Sequence, residues 1–115
     1  MNINFNPVLL VIFAGILTAA GNIFLKLSRL SSPQLTIIEG IFHPYFILGL
    51  FFYSLNVLVF VTALDKLSLT IAYPVLTGIG FLLVTFFSII YLNESLSLIK
   101  FFGALLILIG IYLIA

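Results

Sequence analysis

Four apolar stretches, 7–27, 45–64, 70–92 and 98–115, take up most of this 115-residue chain. Each approaches the roughly 20 residues that an α-helix needs to cross a hydrocarbon layer about 30 Å thick. No water is available there to bond an open backbone, so a segment that enters the layer must satisfy its own N–H and C=O groups. The stretches therefore predict an all-α membrane protein, a single domain of four transmembrane helices. Charge placement agrees. Only 6% of residues are charged, and Lys26, Arg29, Glu39, Asp65, Lys66, Glu94 and Lys100 fall at or near the gaps between the apolar runs. Water and headgroups solvate them in those places.

The same inventory excludes several kinds of chemistry. The chain has no cysteine and one histidine, His43, which stands beside Pro44 at a helix entrance. No metal site and no cofactor are expected from that set. No Ser/His/Asp arrangement or phosphate loop is present, so an enzyme is not expected. A net charge of +1 gives no footprint for nucleic acid. Residues 1–7 hold no Lys or Arg, so a cleaved leader with a positive head is not expected.

Local signals place the helix ends. Pro7 suits the first position of a helix, where a missing N–H costs nothing, and Ser31-Ser32-Pro33 breaks the run near its far end. The connection from Arg29 to His43 is the longest, and Leu35 to Glu39 within it is expected to lie in the interface with Ile37 and Ile38 down. The short Asp65-Lys66 turn predicts that the second and third helices are antiparallel neighbours. Asn93 suits a C-cap and Ser97 an N-cap. Lys26, Arg29 and Lys100 would share one membrane face and Lys66 the other, which leans towards termini outside the cytoplasm.

Polar residues inside the apolar runs are the candidates for function. Thr18, Asn22 and Lys26 recur every fourth residue and form one stripe on the first helix. An amide in hydrocarbon needs partners for several hydrogen bonds. Tyr53 and Asn56 share a face of the second helix with Gly49 and Phe60, and are expected to meet Asn22, in either a dry core or a wet cavity. Lys26 is read either as part of that pathway or as a side chain snorkelling to the interface. The third helix carries Tyr73 and Thr77 on one stripe. Pro74 removes one backbone bond there and, with Gly78 and Gly80, marks either a kink or a packing groove. Gly103 and Gly110, seven apart, share a face of the fourth helix and mark the close approach of another helix.

"SLTIAYPVLTGIG", followed by "YLNESLSLIKFFGALLILIGIYLI", resembles the third and fourth helices of four-helix, EamA-like members of the drug/metabolite transporter superfamily. Ala72-Tyr73, Gly78, Gly80, Gly103 and Gly110 carry that likeness, and "GNIFLKLS" at the end of the first helix fits it. Two branches compete. The small multidrug resistance proteins are similar in size and in Tyr73. By that resemblance Gly103 and Gly110 form the dimer interface of an antiparallel pair. Their membrane-embedded glutamate, which exchanges protons for cations, falls at Thr18 here, and Leu76 stands where they usually have an aromatic. The small flippase subunits for lipid-linked aminoarabinose are more similar at Gly21-Asn22, Lys26 and "IAYPVLT".

The resemblance implies a half-transporter in a bacterial or archaeal plasma (inner) membrane, paired with itself or a homologous half. It would move a polar metabolite or flip a lipid-linked (undecaprenyl-phosphate-sugar-like) saccharide by alternating access. Thr18, Asn22, Lys26, Tyr53, Asn56, Tyr73 and Thr77 are then the substrate-binding residues, and Pro74, Gly78 and Gly80 the flexible segment. A proton-coupled cation or drug exporter and a non-transporting accessory subunit are the alternatives.

Overall fold

The computed structural model describes residues 6–114. Five helices follow one another: α1 (Pro7–Ser31), α2 (Ile37–Gly40), α3 (Pro44–Leu64), α4 (Leu69–Tyr91) and α5 (Leu98–Ile114). α1, α3 and α4 are long and apolar enough to cross a membrane, while α5, at 17 residues, is shorter. At about 1.5 Å per residue α5 extends roughly 25 Å, a little less than the hydrocarbon thickness.

The helix starts follow from local chemistry. Asn6 caps α1 by accepting the Val8 N–H at 2.9 Å, with Pro7 in the first turn. His43 does the same for α3, accepting the Tyr45 N–H through Nδ1 at 3.1 Å ahead of Pro44. Each device fills an orphan donor and presets the backbone for a helix. Ser97 Oγ accepts the Lys100 N–H at 3.3 Å and starts α5. Past the end of α4, Asn93 takes a left-handed backbone with φ 54°, a conformation that asparagine tolerates better than most residues.

α1 extends beyond residue 27, to Ser31. Ser28 donates to the Leu25 carbonyl at 2.6 Å and Ser32 to the Ser28 carbonyl at 2.8 Å. Both serines are buried, and returning their hydroxyls to the helix removes the cost of hiding them. The connection to α3 contains the single turn α2, capped by Thr36, and leaves Ile37 and Ile38 exposed. Arg29 Nη2 donates to the Leu35 carbonyl at 2.9 Å and ties this connection to α1.

α1 is the centre of the fold. It packs along α3 and along α4, whereas α5 packs on α4. The short Asp65-Lys66 turn had predicted that α3 and α4 are antiparallel neighbours, but they are not neighbours along their length. They meet close to that turn, where Ala63 and Ala72 join Val11, Ala14 and Leu76 in the buried core, and α1 occupies the space beyond. The reason is steric. α1 carries small residues on two faces, so both partners approach it more closely than they approach each other. A Cβ on Gly21 would lie 2.7 Å from the Tyr53 ring and 3.1 Å from the Gly49 carbonyl oxygen. A Cβ on Gly15 would lie 2.7 Å from the Ile79 side chain. Stacking of Phe24 on Phe52, with centroids 5.5 Å apart, extends the α1–α3 seam.

Candidate functional site

Close approach at Gly21 and Gly49 brings the polar middle of α1 against α3. There the Tyr53 hydroxyl donates to Asn22 Oδ1 at 2.7 Å. Asn22 Nδ2 in turn donates to the Thr18 carbonyl one turn back, at 3.1 Å. Asn22 is half-buried, and these two bonds leave one N–H and one oxygen lone pair of its amide for another group. The Thr18 hydroxyl is buried and has no hydrogen-bond partner among the described residues.

On the other side of α1, Asn22 and Thr18 open onto a groove of about 420 Å³ shared with α4. Thr77, Gly80, Phe81, Val84 and Thr85 complete its lining. A Cβ on Gly80 would be 3.6 Å from Thr18 Cγ2 and 3.7 Å from the Gly15 carbonyl oxygen, ordinary contact distances, so α1 and α4 run close here and the groove opens beside their contact. Thr77 spends its hydroxyl on its own helix, donating to the Tyr73 and Pro74 carbonyls at 3.0 and 3.1 Å.

Of the residues singled out in the sequence, the structure thus gathers Thr18, Asn22 and Thr77 on one groove, with Tyr53 bonded to it from behind. The others lie elsewhere. Asn56 is buried with its Oδ1 unpaired and does not line the groove. Lys26 is exposed, two turns beyond Thr18 on α1. Tyr73 is 56% exposed and lines an apolar cleft with Phe60, Leu69, Thr70, Pro74 and Ile114. Helical spacing puts Tyr73 on the stripe of Thr77, but α1 passes on the other flank of α4 at that level. Thr85 is the polar lining residue that sequence reasoning left out. Its signal was a position eight residues after Thr77, two turns along the same helix.

The glycines divide by partner. α4 continues as one helix through Pro74, Gly78 and Gly80. Gly80 faces α1, while a Cβ on Gly78 would come 3.0 Å from Ile111 of α5. Among the described residues, Gly103 and Gly110 have no atom outside their own helix backbone within 4 Å of where a Cβ would stand. α5 contains no buried residue, and Leu106, Ile109 and Leu113 are among its exposed apolar side chains.

Residues 6–107 match the family described as Small Multidrug Resistance protein. The uncharacterized protein y4nH of Sinorhizobium fredii is 39% identical over 110 residues, covering 95% of this chain and 94% of that protein. No solved structure matches the chain significantly. A match that takes in α1, α3, α4 and the glycine-bearing start of α5 covers nearly all of the bundle, and by it the chain is an integral membrane protein that belongs to the small multidrug resistance family.

Proposed function

We propose that the chain is one half of an antiparallel dimeric transporter with four membrane-crossing helices. It moves a polar or lipid-linked solute, recognised by hydrogen bonds rather than by an embedded charge. Membership of a transporter family supports the general reading. The observation that carries the finer one is the composition of the α1–α4 groove. The lining residues with polar side chains are Asn22, Thr18, Thr77 and Thr85, all neutral. The carboxylates Glu39, Asp65 and Glu94 lie in α2, at the C-cap of α3 and in the loop before α5, outside the long helices.

A neutral groove has a definite selectivity. An isolated cation entering it would leave water without a counter-charge, at a cost of several kcal/mol in a low-dielectric site. Hydroxyl groups of a saccharide or another polar metabolite would exchange bonds to water for bonds to amide and hydroxyl groups. The Asn22–Tyr53 bond fixes which amide edge faces the groove. A second half supplies the other wall. The open space at Gly103 and Gly110 and the exposed apolar face of α5 are where that half would seat. Lys26 remains a candidate for a substrate phosphate at headgroup depth.

Reconstituted protein tests this directly. Translocation of a fluorescent lipid-linked saccharide in proteoliposomes should proceed without a pH gradient and fall on Asn22→Leu. Uptake of a quaternary ammonium dye driven by a pH gradient, with no saccharide movement, would replace the proposal by proton-coupled cation export, the reading that family membership alone favours.

A further inference from the structure

A second cavity, about 440 Å³, sits at the corner where α4 ends and α5 begins. It adjoins the mid-membrane groove, because Phe81, Val84 and Thr85 line both. Its polar rim differs in kind. Lys100 and Glu94, one cation and one anion, lie on it together with the hydroxyls of Ser88 and Ser95. Phe81 and Ile107 lie among the apolar residues of its wall.

The backbone of this corner is fixed. The left-handed turn at Asn93 lets the Glu94 N–H donate to the Ser88 carbonyl at 3.1 Å. The cap from Ser97 holds the Lys100 N–H at 3.3 Å. Both charged side chains are exposed, and among the described residues neither enters a hydrogen bond or an ion pair with the other. The space below them stays open because Gly103 also lines the cavity and has nothing within 4 Å of its Cβ position.

We propose that this corner binds a lipid whose headgroup carries a phosphate and a primary ammonium together. The argument is one of complementarity. A purely anionic group drawn to Lys100 would also face Glu94, and a purely cationic one drawn to Glu94 would face Lys100. A zwitterionic headgroup answers both, with its phosphate accepting from the Lys100 ammonium and the serine hydroxyls and its ammonium donating to the Glu94 carboxylate. The volume falls in the range of small-molecule sites, roughly 300–1,000 Å³, and the apolar wall receives the first methylenes of the tail. An inverted second copy seated at Gly103 would bring the C-terminal end of its α5 and its Asp65-Lys66 turn to this level, so it competes with the lipid for this corner, and the dimer measurement below decides between them. The proposal concerns binding and rests on the membrane placement of the helices, not on transport.

Native mass spectrometry of the full-length protein in detergent tests it with three probes at equal concentration: phosphatidylethanolamine, phosphatidylglycerol and soluble phosphoethanolamine. Phosphatidylethanolamine should be retained about fivefold over phosphatidylglycerol, the ratio expected for one exposed charge pair, and phosphoethanolamine should not be retained. Glu94→Gln should abolish the preference and Lys100→Gln should weaken both lipids, with melting temperatures unchanged. Exchanging the two charges, Glu94→Lys with Lys100→Glu, should restore the preference, which separates charge recognition from damage to the fold. Equal retention of the two lipids, unaltered binding by either single variant, or equal binding of phosphoethanolamine would each overturn the proposal. So would a dimer that carries no phosphatidylethanolamine.

Discussion

The hydroxyl of Tyr53 on α3 donates across 2.7 Å to the amide oxygen of Asn22 on α1, beside the point where Gly21 and Gly49 bring the two backbones together. The bond joins the packing of the bundle to its polar groove, since the same amide forms part of the groove lining on the opposite flank of α1. Tyr53→Phe should lower stability by about 0.6–2 kcal/mol, the range for interhelical hydrogen bonds in membranes. A double-mutant cycle with Asn22→Leu, read by unfolding in mixed micelles, should show the two losses coupled. Strict additivity would mean that the bond contributes nothing.

Substitution of the glycines should separate by neighbour. Gly21→Ala places a Cβ 2.7 Å from the Tyr53 ring and 3.1 Å from a backbone oxygen, so α1 and α3 must part. A loss of about 1–3 kcal/mol is expected, as for other overpacked sites. Gly80→Ala meets ordinary contact distances of 3.6 Å and longer and should be tolerated. Thermal unfolding of the two variants checks the order.

Gly103→Leu and Gly110→Leu meet open space within the chain. Their helical content and melting in the monomeric state should therefore match the parent protein. Association should weaken, seen as reduced crosslinking in membranes or a shift to monomer in light scattering. Unchanged association would remove α5 from the proposed interface.

Thr18 lines the groove with a buried, unpartnered hydroxyl and has no proton to exchange near neutral pH. The parent protein should release no protons when a quaternary ammonium is added to it in detergent. Thr18→Glu should create such release, because it puts a carboxylate where the groove offers neutral groups. Release by the parent protein would point to a carboxylate at Glu39, Asp65 or Glu94.

Much of this molecule is written in local sequence, and the rest is not. The length and apolarity of the runs, Asn6-Pro7 and His43-Pro44 at two helix starts, and Asn93 and Ser97 between α4 and α5 need no distant partner, so they are legible along the chain. Spacing by fours likewise puts Thr18, Asn22 and Lys26 on one stripe. It cannot say which neighbour that stripe meets or where it leaves the bundle. Tertiary packing decided that. Small residues at Gly15 and Gly21 let α4 and α3 close on two flanks of α1, which separated α3 from α4 and joined Tyr53 to Asn22. The same packing left Tyr73 on the outside and Asn56 buried away from the groove. Helical period assigns a residue to a face, but the pairing of faces depends on how closely backbones approach, and that is set by side chains on both helices at once.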